Sequence, residues 1–124
     1  MISVGIDAVE IERFRDWHTY SIKKLRRVFT EKEIEYCLRV QEKSAERFAV
    51  RFAAKEAFYK ALSSKHKPSF SFLTLCKYVE IDKRAHGAVF LSVNWQALRL
   101  APYATSCSLS HTHTTAIAVV IIIS

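Results

Sequence analysis

Only two glycines and two prolines punctuate this chain of 124 residues. That scarcity excludes the glycine-rich loops that cradle phosphates. No Walker loop and no GxGxxG is present, and the GxSxG and HExxH signatures are missing too. Cysteine is sparse: Cys37, Cys76 and Cys107 lie far apart, odd in number and without a CxxC pair. They carry no metal or redox motif and fit free thiols in a reducing compartment. No apolar run approaches the length of a membrane span, and the N-terminus shows no basic region followed by an apolar stretch. The expectation is a cytoplasmic protein with no membrane partner. Acidic residues are outnumbered, 12 against 19 Lys and Arg, for a net charge of +7. Such an excess fits a solvated basic surface or an acidic partner, whether nucleic acid, anionic membrane, phosphorylated ligand or acidic protein. Repeats, low-complexity tracts and linkers are absent, so residues 1–124 read as a single domain.

What is present is organised around Arg51-Phe-Ala-Ala-Lys-Glu-Ala-Phe-Tyr-Lys-Ala-Leu62. The stretch has neither helix breaker and reads as an uninterrupted helix. Glu56 and Lys60, four residues apart, share a face with Ala49, Phe52, Ala53 and Tyr59. Ala54, Phe58 and Ala61 occupy the opposite side, so the helix is apolar nearly all round and belongs at the centre of the fold. Two charges on an apolar face make either a structural ion pair or a site.

The flanking elements follow in order. Ile2 to Ile6 is a short apolar strand delivering Asp7 at its end. Val9 to Trp17 and the basic stretch Ser21 to Val28 are expected to be helical. Thr30 and Glu33 form a capping box that starts a helix running to about Val40. Ser63 to Ser69 reads as a loop. Phe70 to Ile81 and Ala88 to Val93 read as a hairpin turning at Gly87. Asn94 can cap a short helix ended by Pro102, and Thr105 to Ser110 and Thr114 to Ile123 close the chain as strands. The class is α+β: an N-terminal strand and helices, with a central helix packed on a mostly antiparallel sheet.

Residue by residue the chemistry stays open. Asp7 is a helix N-cap or a ligand. Glu56 and Lys60 are an ion pair or a site. His111 and His113, two apart in a strand, would share a face but lack a third zinc ligand. His111 also suits a hydrogen-bonded core histidine, and Lys23 to Arg27 a solvated face.

Taken together, these residues resemble one family. Gly5-Ile-Asp7-Ala-Val-Glu-Ile-Glu-Arg13 resembles the N-terminal signature of the 4′-phosphopantetheinyl transferases of the holo-acyl-carrier-protein synthase type. Phe29-Thr-Glu-Lys-Glu33 with Tyr36 and Cys37, Arg51 to Ala57 with Lys60-Ala-Leu62, and Ser108-Leu-Ser-His111-Thr with Ala116 and Ala118 match the next three blocks. They occur in family order across residues 4 to 120.

The resemblance implies transfer of the phosphopantetheine arm of coenzyme A to a serine of an apo acyl carrier protein. Adenosine 3′,5′-bisphosphate is released, Mg²⁺ is required, and small members form homotrimers with active sites between subunits. It implies Asp7 and Glu56 as metal ligands, with Glu56 also placed to position or deprotonate the serine, and Lys60 to stabilise phosphate charge. Arg51, Lys43, Arg47 and His111 become candidates for the nucleotide and its phosphates. Arg13 takes the place of a carrier-contacting arginine, and the basic face extends through Lys23 and Arg26. The family's glycine-rich turn after the central block is replaced here by Ser63-Ser-Lys-His66, so Ser63, Ser64 and Lys65 are expected to serve the pyrophosphate in its stead. Two further readings stand beside this one. A catalytically weakened member would bind coenzyme A or carrier without efficient transfer. A basic nucleic-acid-binding domain would interleave aromatic and cationic side chains on its hairpin.

Overall fold

The structure, a computed structural model, describes Met1 to Ser124. Its axis is one long helix, α3 (Ser44–Lys65). Three antiparallel strands in the order β1-β5-β4 pack against it: β1 (Ile2–Glu10), β4 (Ala104–His111) and β5 (Thr115–Ile123). A second, two-stranded sheet pairs β2 (Val79–Lys83) with β3 (Val89–Val93), next to α2 (Glu31–Leu38) and α4 (Phe72–Tyr78). A single turn, α1 (Ile22–Leu25), completes the set. The α+β class and the central helix on an antiparallel sheet are as expected.

Small residues let α3 lie close to its sheet. Ser3, Gly5, Asp7 and Val9 alternate toward the helix along β1, and Ala116, Ala118, Val120 and Ile122 do so along β5. The helix answers with buried Ala53, Ala57 and Ala61. At Gly5 the approach leaves no room: a Cβ there would sit 1.8 Å from the Ala57 carbonyl oxygen. The outward face of β1 carries exposed Ile2, Val4 and Ile6. On its other side α3 buries Phe48, Phe52 and Phe58, and Phe14, Trp17 and Phe29 close the core with ring centroids as near as 4.6 Å.

One feature of the core gave no sign in the sequence. Lys55 and Glu33 form an ion pair at 2.7 Å with side chains 0% and 1% exposed. The Lys55 ammonium also donates to the Val28 and Cys76 carbonyls at 2.8 and 3.1 Å. Glu33 accepts from the Thr30 amide at 2.9 Å and the Ile81 amide at 2.8 Å. All three ammonium protons and both carboxylate oxygens are used, which is the condition for tolerating a buried pair. The pair ties α2, α4 and β2 to the central helix.

Several element bounds differ from expectation. β1 runs on through Val9 and Glu10, which pair with Ala116 and Thr115, so Asp7 lies within the strand and is not a helix N-cap. The expected helix from Val9 to Trp17 reduces to two 3-10 turns, Ile11–Phe14 and Trp17–Thr19. The helix expected over Ser21 to Val28 is the one turn α1, capped by the Ser21 hydroxyl accepting from the Lys24 amide. The expected loop at Ser63 begins later, because α3 continues to Lys65. Phe72 to Tyr78 is helix, not strand: Ser71 caps it by accepting from the Thr74 amide at 3.2 Å, and the hairpin begins at Val79. Asn94 does cap, accepting from the Ala97 amide at 3.0 Å, but a turn follows and ends at Arg99 in the left-handed region (φ 58°). The capping box of α2 and the β2–β3 hairpin, with Gly87 at φ 96°, are as expected. No helix is long and apolar enough to cross a membrane.

Candidate functional site

Period-two alternation in β1 turns Asp7 inward, and α3 brings Glu56 and Lys60 to meet it. The Lys60 ammonium donates to Asp7 Oδ1 at 2.9 Å and to the Ile6 carbonyl at 3.1 Å. Of the two readings of Glu56 and Lys60, the intrahelical ion pair is not formed; the lysine reaches across to the strand. The two bonds use two of its three donors, and half of the side chain (52%) stays exposed, so one N–H remains for another anion.

The Asp7 side chain is only 13% exposed, and its second oxygen, Oδ2, is buried with no hydrogen-bond partner. A buried carboxylate oxygen without a donor is costly and calls for a cation or a bound donor. Glu56 stands alongside. Its pKa is raised above the ordinary carboxylate range, first by burial and then by the Asp7 carboxylate, with Lys60 and Arg13 only partly offsetting. Arg13 reaches this corner with its guanidinium stacked 4.8 Å over the Phe52 ring.

Two close carboxylates with one orphaned oxygen suit a hard divalent cation that takes its other oxygens from water or phosphate. No three His, Cys, Asp or Glu side chains gather elsewhere as a metal cluster. The zinc reading of the histidines fails on this and on topology: His111 ends β4 while His113 lies in the turn beyond it, so they share no strand face.

A second assembly lies on the other side of α3. Lys43, Arg47, Arg51 and His111 line one cleft of about 240 Å³, joined by Tyr36 and Lys83. The Arg47 and Arg51 guanidinium carbons lie 4.1 and 4.4 Å from the Tyr36 ring centroid, and the Lys83 ammonium donates to the Tyr36 hydroxyl at 2.6 Å. His111 Nδ1 approaches Glu46 at 3.0 Å, so this histidine is neither a core residue nor free of a partner. Lys83 gave no sequence signal, being one charge of several in the hairpin. Tyr36 was visible only as part of a motif block, without a role.

Arg47 and Glu56 are nine residues apart on α3, which at 3.6 residues per turn aims them about 180° apart. The carboxylate corner and the cationic cleft of one chain thus face away from each other. Ser63 joins neither. Its hydroxyl donates to the Tyr59 carbonyl at 2.8 Å, and that of Ser64 to the Ala61 carbonyl at 2.8 Å. Lys65 donates to Ser124 Oγ. Lys23 and Arg26 are exposed at α1, with Arg26 paired to Glu31. Of the aromatic residues that a nucleic-acid-binding hairpin would present, Phe72 and Tyr78 belong to α4, leaving on the two-stranded sheet Phe90, with the Arg84 guanidinium 4.5 Å over its ring.

The family model of the 4′-phosphopantetheinyl transferase superfamily matches residues 3–120. The chain is 40% identical over 124 residues to a holo-[acyl-carrier-protein] synthase of Chloroherpeton thalassium, covering 98% of this chain and 97% of the relative. It is 37% identical to that of Treponema denticola, with 98% of each chain covered. Among solved structures, the Chronobacterium ammoniagenes ACPS–CoA complex superimposes with a TM-score of 0.82 at 26% identity, over 98% of this chain and 96% of that one. The Helicobacter pylori holo-[acyl-carrier-protein] synthase in complex with coenzyme A gives 0.75 at 30% identity, over 97% and 99%.

Proposed function

The chain belongs to the 4′-phosphopantetheinyl transferase superfamily, and we propose that Asp7, Glu56 and Lys60 are the catalytic corner of its transferase reaction. The protein is a phosphopantetheinyl transferase of the holo-acyl-carrier-protein synthase type: it moves the 4′-phosphopantetheine arm of coenzyme A to a serine of an apo acyl carrier protein. The observation that carries the site reading is the orphaned Asp7 Oδ2 beside the desolvated Glu56.

The serine oxygen forms a bond to the phosphorus that bears pantetheine, and the bond from that phosphorus to adenosine 3′,5′-bisphosphate breaks. Asp7 and Glu56 would hold Mg²⁺, which when bound neutralises charge on the pyrophosphate. Lys60, anchored by two bonds, directs its remaining N–H to a phosphate oxygen. Glu56, half-buried beside Asp7, also suits positioning the serine hydroxyl or taking its proton. Arg13, stacked beside this corner, and exposed Lys23 and Arg26 suit an acidic carrier, where surface charge chiefly speeds encounter.

Lys43, Arg47, Arg51 and His111 take the nucleotide. Because that cleft faces away from Asp7 within one chain, the complete site pairs the corner of one subunit with the cleft of its neighbour. Exposed Ile2, Val4, Ile6 and Ile123 supply an apolar sheet face for such an assembly, a homotrimer by the family pattern. Three free thiols accord with a reducing cytoplasm.

The test is to incubate the protein with coenzyme A, apo carrier and Mg²⁺ and to weigh the carrier by mass spectrometry. A carrier that gains the phosphopantetheine mass, and loses the gain under EDTA, supports the reading; an unchanged mass refutes it. The same assay decides the weakened-member reading, which draws on the turn of Ser63 and Ser64 toward their own helix.

A further inference from the structure

Arg51 is 4% exposed, yet its Nε has no hydrogen-bond partner, and a single bond at 3.2 Å to the Arg47 carbonyl holds its Nη1. Its plane is placed instead by Tyr36, over whose ring both arginines lie. Tyr36 itself is pinned from the opposite sheet by Lys83, at the end of β2. Three like charges so gathered repel one another, and a ring's negative face offsets only part of that. The one carboxylate lining this cleft, Glu46, is taken by His111. In the adjoining cavity, which shares Tyr36, Arg51 and Lys83, Asp82 pairs with Lys32, Glu35 with Arg39 and Glu33 with Lys55. A buried guanidinium with an unused donor, among carboxylates already paired, is a place built for an anion.

We infer that Tyr36 is the positioning residue of the nucleotide cleft, its ring and hydroxyl holding Arg47, Arg51 and Lys83 as one anion-binding face, and that Lys83 is itself a ligand of a phosphate of coenzyme A. The inference rests on the nucleotide reading of this cleft. It adds a contribution from the β2–β3 hairpin, so the hairpin helps to form the site as well as to cover the core. The hydroxyl bond from Lys83 holds the Tyr36 pKa below its usual value, which keeps electron density on the ring oxygen facing the cations.

The experiment measures calorimetric binding of adenosine 3′,5′-bisphosphate, and steady-state transfer from coenzyme A and from 3′-dephospho-coenzyme A, for three variants. Lys83 is exposed, so Lys83→Met keeps the fold; it is expected to weaken binding and raise the KM for coenzyme A about tenfold, with kcat within about twofold. Tyr36→Leu is expected to do the same, whereas Tyr36→Phe, which keeps the ring, recovers to within about threefold of the parent. If the penalty vanishes with the dephospho substrate, the anion is the 3′-phosphate; if it persists, it is the pyrophosphate. Parent-like binding in Lys83→Met overturns the inference, as does a loss in kcat at unchanged KM in Tyr36→Leu. A Tyr36→Leu protein that does not fold leaves Lys83→Met to decide. Failure of the parent protein to transfer would strike the functional reading instead, and is distinguishable because the variants are judged relative to it.

Discussion

Replacing Gly5 by alanine should damage stability and catalysis together, for a reason that can be followed atom by atom. An added Cβ would stand 1.8 Å from the Ala57 oxygen, 2.8 Å from its carbonyl carbon and 2.8 Å from the Ala61 nitrogen. All three are backbone atoms of α3, so no side chain can swing aside. Carbon contacts settle at about 3.5–4.0 Å, so strand and helix must part by more than about 1 Å. Overpacking of this kind costs about 3 kcal/mol or more, the upper end of the usual range, because both partners are rigid elements. For a chain of this length that is a drop in Tm of roughly 10 °C. The same displacement carries Asp7, two residues on, away from Lys60, the residue before Ala61. Bonds now at 2.9 and 3.1 Å would exceed hydrogen-bonding range. Misplacement by about 1 Å costs on the order of 10²-fold in rate. Thermal melts at two protein concentrations, alongside transfer kinetics by mass spectrometry, read both effects. Gly87→Ala is the control: nothing lies within 4 Å and only φ +96° opposes the side chain, so about 1 kcal/mol is lost and transfer is kept. A Gly5→Ala protein that melts within about 2 °C of the parent and transfers at full rate would refute the close-approach argument.

Lys55→Met should cost about 3–5 kcal/mol in denaturant unfolding, because Glu33 is left as a buried unpaired charge; adding Glu33→Gln should return part of the loss. Glu56→Gln should nearly abolish transfer yet stabilise the Mg²⁺-free protein. The folded pKa of Glu56 is raised, so its carboxylate costs stability once pH climbs above the ordinary 4.5, and the gain in Tm should be largest near neutrality, fade as pH falls through the raised folded pKa and be gone below 4.5. Val4→Glu on the outward sheet face should give monomers by sedimentation and, since each site would lose its neighbour's cleft, abolish transfer; an active monomer would refute the shared site.

How much of this was legible in the sequence follows from the range of each interaction. The capping box of α2, the Gly87 turn and the body of α3 depend on residues a few positions apart, and all were read from pattern. The partners of Asp7, Lys60 and Lys55 were not, because they lie 53 residues away for the Asp7–Lys60 pair and 22 for Lys55–Glu33. Spacing on one helix suggested Glu56 for Lys60; the register of β1 decided for Asp7. The error over Phe72 to Tyr78 has a local cause: aromatic and β-favouring residues outweighed one Ser71 cap, and the cap won. Family blocks named Arg51 and His111 together, but only the fold shows that Tyr36 and Lys83 line the same cleft.

The shortage of glycine finally bears on how phosphate is held. Glycine turns bind phosphate through backbone amides, which cost no side-chain ordering and carry no net charge. Here α3 runs unbroken past Ser63 and Ser64, whose hydroxyls are spent on its own carbonyls. The two glycines serve elsewhere, one for a close approach and one for a turn. On the proposed reading, phosphate recognition therefore falls to side-chain cations, on one side Lys60 and on the other Arg47, Arg51 and Lys83. Cations so gathered repel one another unless something neutral lies against them, and in the cleft that is the Tyr36 ring. The uninterrupted helix, the opposed faces and the aromatic spacer then form one solution. A rigid rod carries the carboxylates on one side and the cations on the other, and the proposed shared site would hold the substrate where the two sides of neighbouring copies meet.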